Sequence, residues 1–467
     1  MKVEQIYTGC LAEAAYYIES NGEAAIIDPL RETDPYTQKI EKNGVKLKYI
    51  FETHFHADFV SGHIDLAKKT GASIVFGPKA QTNYEIHLAK DEEIFEVGKA
   101  KIKILHTPGH TLESSTFLLI DEEGNNHAIF SGDTLFIGDV GRPDLAVKSD
   151  LTKEDLAGML FDSLRNKIMP LEDSVVVYPG HGAGSACGKN MSSETFDTLG
   201  NQKKTNYALR ANMSKQEFIK EVTDGILPPP QYFAKNVMLN KQGYEQVDEV
   251  IERGTQALSV EAFEAKIKEG VTIIDTRNVQ VFNQGFVPGA ISIGLEGTFA
   301  VWVGTLVKNL NEPILLISPE GKEKETVLRL ARVGYDNAVG YLEGGFEAWQ
   351  AAGKPTDSIQ SIEATELQRL KENGEINILD VRKATEYQSE HVLDAQNFPL
   401  DFINGHLNDL DKAATYYIHC AGGYRSMIAA SILKKNGYQN VIDVKGGFKA
   451  IAETGILKTA YVCPSTL

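Results

Sequence analysis

The sequence predicts a multidomain α/β protein, and three observations predict it. The chain has 467 residues, and a prior of about 150 residues per domain suggests three domains. In the first half, short apolar strands alternate with turns, and four of those turns carry His or Asp clusters. In the second half, one strand-and-helix pattern occurs twice, offset by about 102 to 105 residues, the mark of an internal repeat.

In chain order, Ala24-Ala25-Ile26-Ile27-Asp28-Pro29 ends a hairpin, and Ser73-Ile74-Val75-Phe76-Gly77-Pro78 reads as a buried strand. Lys153 to Lys167 reads as a helix opened by Thr152 as N-cap. At Gly225-Ile226-Leu227-Pro228-Pro229-Pro230 the pattern breaks, because three prolines end a helix and stiffen the chain. The run closes the first domain's last helix, and a connector continues to about residue 254. Beyond it, Ile273-Ile274-Asp275-Thr276-Arg277 recurs as Ile378-Leu379-Asp380-Val381-Arg382. Pro313-Ile314-Leu315-Leu316-Ile317-Ser318 aligns with Thr415-Tyr416-Tyr417-Ile418-His419-Cys420, and Glu343-Gly344-Gly345-Phe346 with Lys445-Gly446-Gly447-Phe448. Each repeat alternates strand and helix, which predicts a largely parallel sheet. The expected domains are residues 1–254, 255–355 and 356–467.

Composition narrows the function. Net charge is −17 and no Lys/Arg-rich run stands out, which excludes a nucleic-acid partner. The N-terminus lacks the apolar core of a signal peptide, and no segment approaches the roughly 18 apolar residues of a membrane span. Cys10, Cys187, Cys420 and Cys463 are too scattered for a disulfide framework. A reducing, cytoplasmic setting without membrane attachment is expected.

The richest run is Glu52-Thr53-His54-Phe55-His56-Ala57-Asp58-Phe59-Val60-Ser61-Gly62-His63, directly after apolar Tyr49-Ile50-Phe51. Alternate spacing points His54 and His56 the same way. Two imidazoles and a carboxylate are donors for a first-row metal. His110 in Thr107-Pro108-Gly109-His110, Asp133 in Ser131-Gly132-Asp133 and His181 in Tyr178-Pro179-Gly180-His181 repeat the theme. One His-x-His is a weak signal. Four clusters, each after an apolar strand and inside a Gly-rich turn, are a strong one.

This pattern resembles the metallo-β-lactamase superfamily over about the first half of the chain. The resemblance implies an αββα sandwich with metal at one edge of the paired sheets. Dinuclear hydrolases of the superfamily, such as glyoxalase II, carry His directly after the motif's Asp; here Phe59 stands there and cannot ligate. Residue by residue, the match is closer to the persulfide dioxygenases. That resemblance implies one Fe(II) per N-terminal domain, held by His54, His110 and Asp133, with positions left open for O2 and substrate. His56, Asp58 and His181 would then orient ligands or water. Gly138-Asp139-Val140-Gly141-Arg142-Pro143-Asp144 also looks like that family's, placing Arg142 near the iron or on an anionic substrate, or else in an ion pair with Asp139 or Asp144. Cys187, shortly after His181, either lines the metal pocket and meets a persulfide or fills a tight turn. Relatives of the first domain often pair, so a homo-oligomer is expected.

A second chemistry sits in His419-Cys420-Ala421-Gly422-Gly423-Tyr424-Arg425-Ser426, between a buried strand and a helix. Loop amides can converge on the cysteine sulfur, and the helix N-terminus adds positive potential; both stabilise a thiolate or persulfide. Arg425 can bind an anionic acceptor such as sulfite. The loop resembles the rhodanese active site, in which the cysteine carries a sulfane sulfur, and the resemblance covers both repeats. In the first repeat Ser318 and Glu323 stand where the second has Cys420 and Arg425, so that repeat is expected to be non-catalytic. Together the resemblances imply oxidation of a thiol persulfide to sulfite by O2, and sulfur transfer to sulfite giving thiosulfate. The alternatives are a glyoxalase II-like thioester hydrolase fused to rhodanese, and a sulfur-carrier module with a degenerate metal site.

Overall fold

The computed structural model describes residues 1–147, 150–189, 191–226 and 228–463. It divides into two compact units: Met1–Glu249 with Ala331–Gly334, and Val250–Leu330 with Tyr335–Leu467.

In the first unit, β1 (Lys2–Thr8), β2 (Glu13–Ser20), β3 (Glu23–Ile27), β4 (Lys46–Glu52), β5 (Ser73–Phe76) and β6 (His87–Leu88) form one six-stranded sheet in that order. Pairing is antiparallel from β1 to β3 and parallel from β3 to β6. A second six-stranded sheet runs β7 (Ile94–Val97), β8 (Ala100–His106), β9 (Ser115–Ile120), β10 (Asn126–Gly132), β11 (Val176–Pro179), β12 (Asp197–Thr198). The two-residue period of β2 shows why both faces of a sheet are covered. Ala14, Tyr16 and Ile18 meet Phe51, Phe117 and Phe130 between the sheets. Ala15 and Tyr17 turn outward onto Tyr36 and Leu66 of the helices Asp34–Asn43 and His63–Thr70. Helices outside two stacked sheets make the αββα sandwich that the sequence predicts.

On the other side, the helix Lys153–Ser163 continues as a π-turn, Leu164–Ile168, and buries Leu160, Leu164 and Ile168 against Leu118, Ile129 and Val177. Thr152 caps it as expected: its hydroxyl accepts from the Asp155 amide, and the Asp155 side chain reaches back to the cap. The helix Lys215–Thr223 ends before the proline run, whose Leu227 lies outside the described residues. The expected connector is different in kind. It folds as two helices, Phe233–Gln242 and Val247–Gly254. The first buries Asn236 and Asn240 along with Phe233, and the two polar residues interrupt the apolar period.

The second unit contains one topology twice. β13 (Ala257–Leu258), β14 (Thr272–Asp275), β15 (Ile291–Ser292), β16 (Ile314–Ile317) and β17 (Ala338–Leu342) order as β13-β17-β16-β14-β15. β18 (Gln360–Ile362), β19 (Asn377–Asp380), β20 (Gln396–Asn397), β21 (Tyr416–His419) and β22 (Val441–Val444) order as β18-β22-β21-β19-β20. Every pairing in both five-stranded sheets is parallel. The repeated motifs pack on one another. Arg277 is chelated by Asp275 and lies 4.7 Å from the Phe346 ring centre. Arg382 pairs with Asp380 and lies 3.9 Å from that of Phe448. Among the described residues no helix is long and apolar enough to cross a membrane.

Candidate functional site

Three of the four predicted clusters follow the ends of β4, β10 and β11, and the fourth occupies the turn between β8 and β9. The fold brings them together. The Nε2 atoms of His54 and His110 lie 3.8 and 3.4 Å from Asp133 Oδ2. His181 Nε2 lies 3.4 Å from Asp58 Oδ2 and 3.6 Å from Asp133 Oδ1. Among the described residues four overlapping buried groups result, His54–His110–Asp133, His56–Asp58–His181, Asp133–His181–Cys187 and Asp28–Glu52–His56, each offering ligand atoms within 4.8 Å of one another; the first two hold the predicted His and Asp residues.

Neighbouring acceptors set the ring tautomers. His110 Nδ1 meets the Arg142 carbonyl at 2.8 Å, and His181 Nδ1 meets that of Ala12 at 3.2 Å. A carbonyl only accepts, so Nδ1 carries a hydrogen in both rings, and Nε2 is the nitrogen that faces Asp133. His54 Nδ1 meets the Thr53 hydroxyl at 2.9 Å, and that hydroxyl donates to Asp28 at 2.8 Å, which assigns His54 the same tautomer. Burial and the neighbouring imidazoles push the His54 pKa well below its ordinary value, keeping the ring neutral. Asp133 is buried, and neither carboxylate oxygen has an N–H or O–H donor. A buried carboxylate in that state is costly unless a cation answers it. Imidazole nitrogens aimed at an unsatisfied carboxylate fit a divalent metal ion. Gly141 belongs to this arrangement, because a Cβ there would stand 2.0 Å from the Asp133 carbonyl oxygen and 3.0 Å from His110 Nδ1.

In the second group, burial opposes the charged form of both partners. It raises the Asp58 pKa. For His181 the carboxylates of Asp58 and Asp133 outweigh it, and the pKa rises. Phe59 is fully buried and packs on His56, with ring centres 4.3 Å apart. Cys187 is buried beside Asp133 and His181, and burial together with Asp58 and Asp133 pushes its thiol well up. Arg142 spends its guanidinium on Asp144, at 2.7 and 2.8 Å, and on the Ala186 carbonyl. What it gives the His54–His110–Asp133 group is its own carbonyl on His110.

One contributor carries no sequence signal. The Asn240 amide group donates to the carbonyls of His56 and Phe59, both at 2.9 Å, and its oxygen accepts from the Ser61 amide at 3.0 Å. A single buried side chain thus clamps the loop that presents His56 and Asp58. Asn240→Ala is expected to cost about 2–3 kcal/mol of stability and to weaken metal binding roughly 10- to 100-fold. Thermal unfolding and metal titration measure the two effects, and wild-type metal affinity would show that the loop holds itself.

In the second unit Cys420 follows β21 and is buried. The Gly423 amide donates to its sulfur at 3.1 Å, at the N-terminus of the helix Tyr424–Lys435. The Gly-Gly-Phe motif supports the loop from behind: Phe448 and Lys449 donate their amides to the carbonyls of Cys420 and Ala421. Gly447, at φ +56°, permits this, since a Cβ there would stand 2.4 Å from the Cys420 carbonyl oxygen. Arg425 is held by Glu386 in a two-pronged pair at 2.7 and 2.8 Å, leaving Nε–H among its donors for an anion. In the first repeat the Ser318 hydroxyl is taken up by Thr276 and Thr326.

Comparison with known proteins agrees with this division. Residues 8–181 match the metallo-beta-lactamase superfamily. Residues 259–352 and 363–454 each match the rhodanese-like domain. A probable hydroxyacylglutathione hydrolase of Schizosaccharomyces pombe is 32% identical over 38% of this chain and 66% of its own length, just under two thirds of that relative. The mitochondrial persulfide dioxygenase ETHE1 of Homo sapiens is 30% identical over 45% of this chain and 74% of its own. The crystal structure of a metallo-beta-lactamase from Staphylococcus aureus superposes with a TM-score of 0.63 at 32% identity, covering 73% of this chain and 98% of that one.

Proposed function

We propose that this chain, which belongs to the metallo-β-lactamase superfamily and continues into two rhodanese-like domains, oxidises a low-molecular-weight thiol persulfide to sulfite and transfers sulfane sulfur to sulfite, giving thiosulfate. The reading assigns the oxidation to residues 1–254, the transfer to residues 356–467, and a non-catalytic role to residues 255–355. The observation that carries it is the pairing of the intact His54–His110–Asp133 group with a second group from which Phe59 has removed a ligand.

His54, His110 and Asp133 would hold one Fe(II), which when bound supplies the redox chemistry that makes O2 reactive toward sulfur. In the net reaction R–S–SH, O2 and water give R–SH, sulfite and two protons. The two sulfur atoms together lose the four electrons that O2 gains. His56, Asp58 and His181 would orient the water that provides the third sulfite oxygen, with Phe59 packed on His56 and Phe136 on His181. Cys187, buried beside Asp133 and His181, would meet the persulfide there. At the other site the Cys420 thiolate attacks the outer sulfur of a persulfide and displaces R–S⁻. Sulfite then attacks the outer sulfur of the Cys420 persulfide, forming thiosulfate and freeing the thiolate. Arg425 and the loop amides steady both anions. Fusion keeps sulfite near its acceptor site, since tethering supplies an effective concentration of about millimolar for short linkers.

The test is oxygen uptake by protein loaded anaerobically with Fe(II), given glutathione persulfide and then coenzyme A persulfide. No uptake with either, iron being bound, would overturn the proposal. A thioester hydrolase is the second reading, favoured by the His56–Asp58–His181 group and by the yeast relative. Phe59 separates the two. Phe59→His is expected to raise metal content from about one toward two ions per chain and to introduce thioester cleavage. Metal analysis and an anaerobic thioester assay read this, and wild-type protein that already holds two ions and cleaves thioesters would favour the hydrolase.

A further inference from the structure

The first rhodanese-like repeat has no thiol of its own, yet its sheet edge is in contact with the helix that carries the Cys420 loop. β15 is the edge strand of its sheet. Its outward Ser292 amide donates to Ser431 Oγ, at 3.0 Å, on the helix Tyr424–Lys435. Ser431 lies seven residues after Tyr424, so the two share one helical face. Tyr424 makes the second contact. Its hydroxyl donates to the Gly294 carbonyl at 2.7 Å, and its ring lies against Gly297. A Cβ on Gly297 would stand 2.4 Å from Tyr424 Cζ and 2.6 Å from Cε2. The backbone of Gly297 is outside the left-handed region, so space alone demands glycine there. In sequence, Tyr424 falls between Gly423, whose amide holds the Cys420 sulfur, and Arg425, which pairs with Glu386.

We propose that Tyr424 is a positioning residue for sulfur transfer, and that the first repeat survives without a thiol because its Gly294–Gly297 segment is the seat that fixes the Cys420 loop. The proposal rests on the reading of Cys420 as the sulfur-carrying thiol. With the ring seated, the first turn of the helix cannot rotate, and the Gly423 amide and Arg425 stay aimed at one point. With the ring displaced, both lose their aim together.

The test uses the full chain with Gly297→Ala, Tyr424→Phe and, as a docking control remote from the loop, Ser431→Ala. Transfer from thiosulfate to cyanide is measured as kcat and KM per folded protein, and alkylation of Cys420 by iodoacetamide is followed by peptide mass spectrometry. Gly297→Ala is expected to lower kcat about tenfold and Tyr424→Phe about threefold, with KM changed less than about twofold. The Cys420 alkylation rate should change at least about threefold in both. Ser431→Ala should lower the melting temperature and leave both readouts at wild-type values. Unchanged alkylation in Gly297→Ala and Tyr424→Phe would overturn the seat even if the wild type transferred no sulfur. An equal loss of kcat in Ser431→Ala would also overturn it, because docking in general would then be responsible. A wild type that shows no transfer while the two variants still alter alkylation would fault the sulfur-carrier reading and keep the seat.

Discussion

His110→Ala is expected to abolish persulfide-dependent oxygen uptake, by more than about 100-fold, since disturbing even the outer partners of metal ligands costs roughly 10- to 100-fold. The imidazole is buried, its Nε2 lies 3.4 Å from Asp133 Oδ2, and its Nδ1–H is committed to the Arg142 carbonyl. Truncation removes one of three converging donors and leaves a cavity beside the Asp133 carboxylate, which the metal would then share only with His54. Iron content should fall with the activity. Sulfur transfer should remain, because Cys420, Arg425 and Glu386 belong to the other compact unit. Iron analysis and oxygen uptake on the same sample decide it. Bound iron with full uptake would mean that the ion sits in the His56–Asp58–His181 group, and the ligand assignment would move there. Loss of both activities with an unfolded spectrum would be a stability effect, which His110→Gln separates by keeping the volume of the side chain.

How far such a site can be read from sequence depends on which groups build it. The His/Asp clusters that the fold gathers are legible because each needs an apolar strand, a turn and a side chain of unusual chemistry, three local signals that coincide at His54, His110, Asp133 and His181. The repeat is legible because Asp-x-Arg and Gly-Gly-Phe recur in register, and the structure explains both, with Arg382 on Phe448 and Gly447 under the Cys420 carbonyl. The supporting groups are not legible. His110 and His181 take their tautomers from the backbone carbonyls of Arg142 and Ala12, and every residue has a carbonyl. Asn240 clamps its loop from about 180 residues away, on a helix whose buried face mixes Phe233 with Asn236 and so shows only a broken apolar stripe. The partner of Arg425 is Glu386, 39 residues earlier, where one glutamate among many gives no hint of it. Long-range polar contacts of single residues leave no period, and period is what a lone sequence offers.

Cys420→Ser is expected to stop sulfur transfer, by at least about 100-fold, while oxygen uptake continues at the wild-type rate. The substitution keeps the side-chain volume nearly unchanged. A serine oxygen can accept the Gly423 amide as the sulfur does, and the first repeat already tolerates Ser318 at the matching position. The loop should therefore stay folded with Arg425 on Glu386. What is lost is chemical, because a hydroxyl at neutral pH is neither a nucleophile for a persulfide nor able to carry its outer sulfur. Sulfite made at the metal site then has no acceptor chemistry waiting for it, so sulfite should accumulate and thiosulfate should disappear from the products. The sum of sulfite and thiosulfate per O2 consumed should be conserved, a stricter requirement than loss of one product. If oxygen uptake fell as well, the two sites would be coupled through a shared intermediate. If thiosulfate persisted, it would be forming from sulfite and free persulfide in solution, and Cys420 would have no claim on the second step.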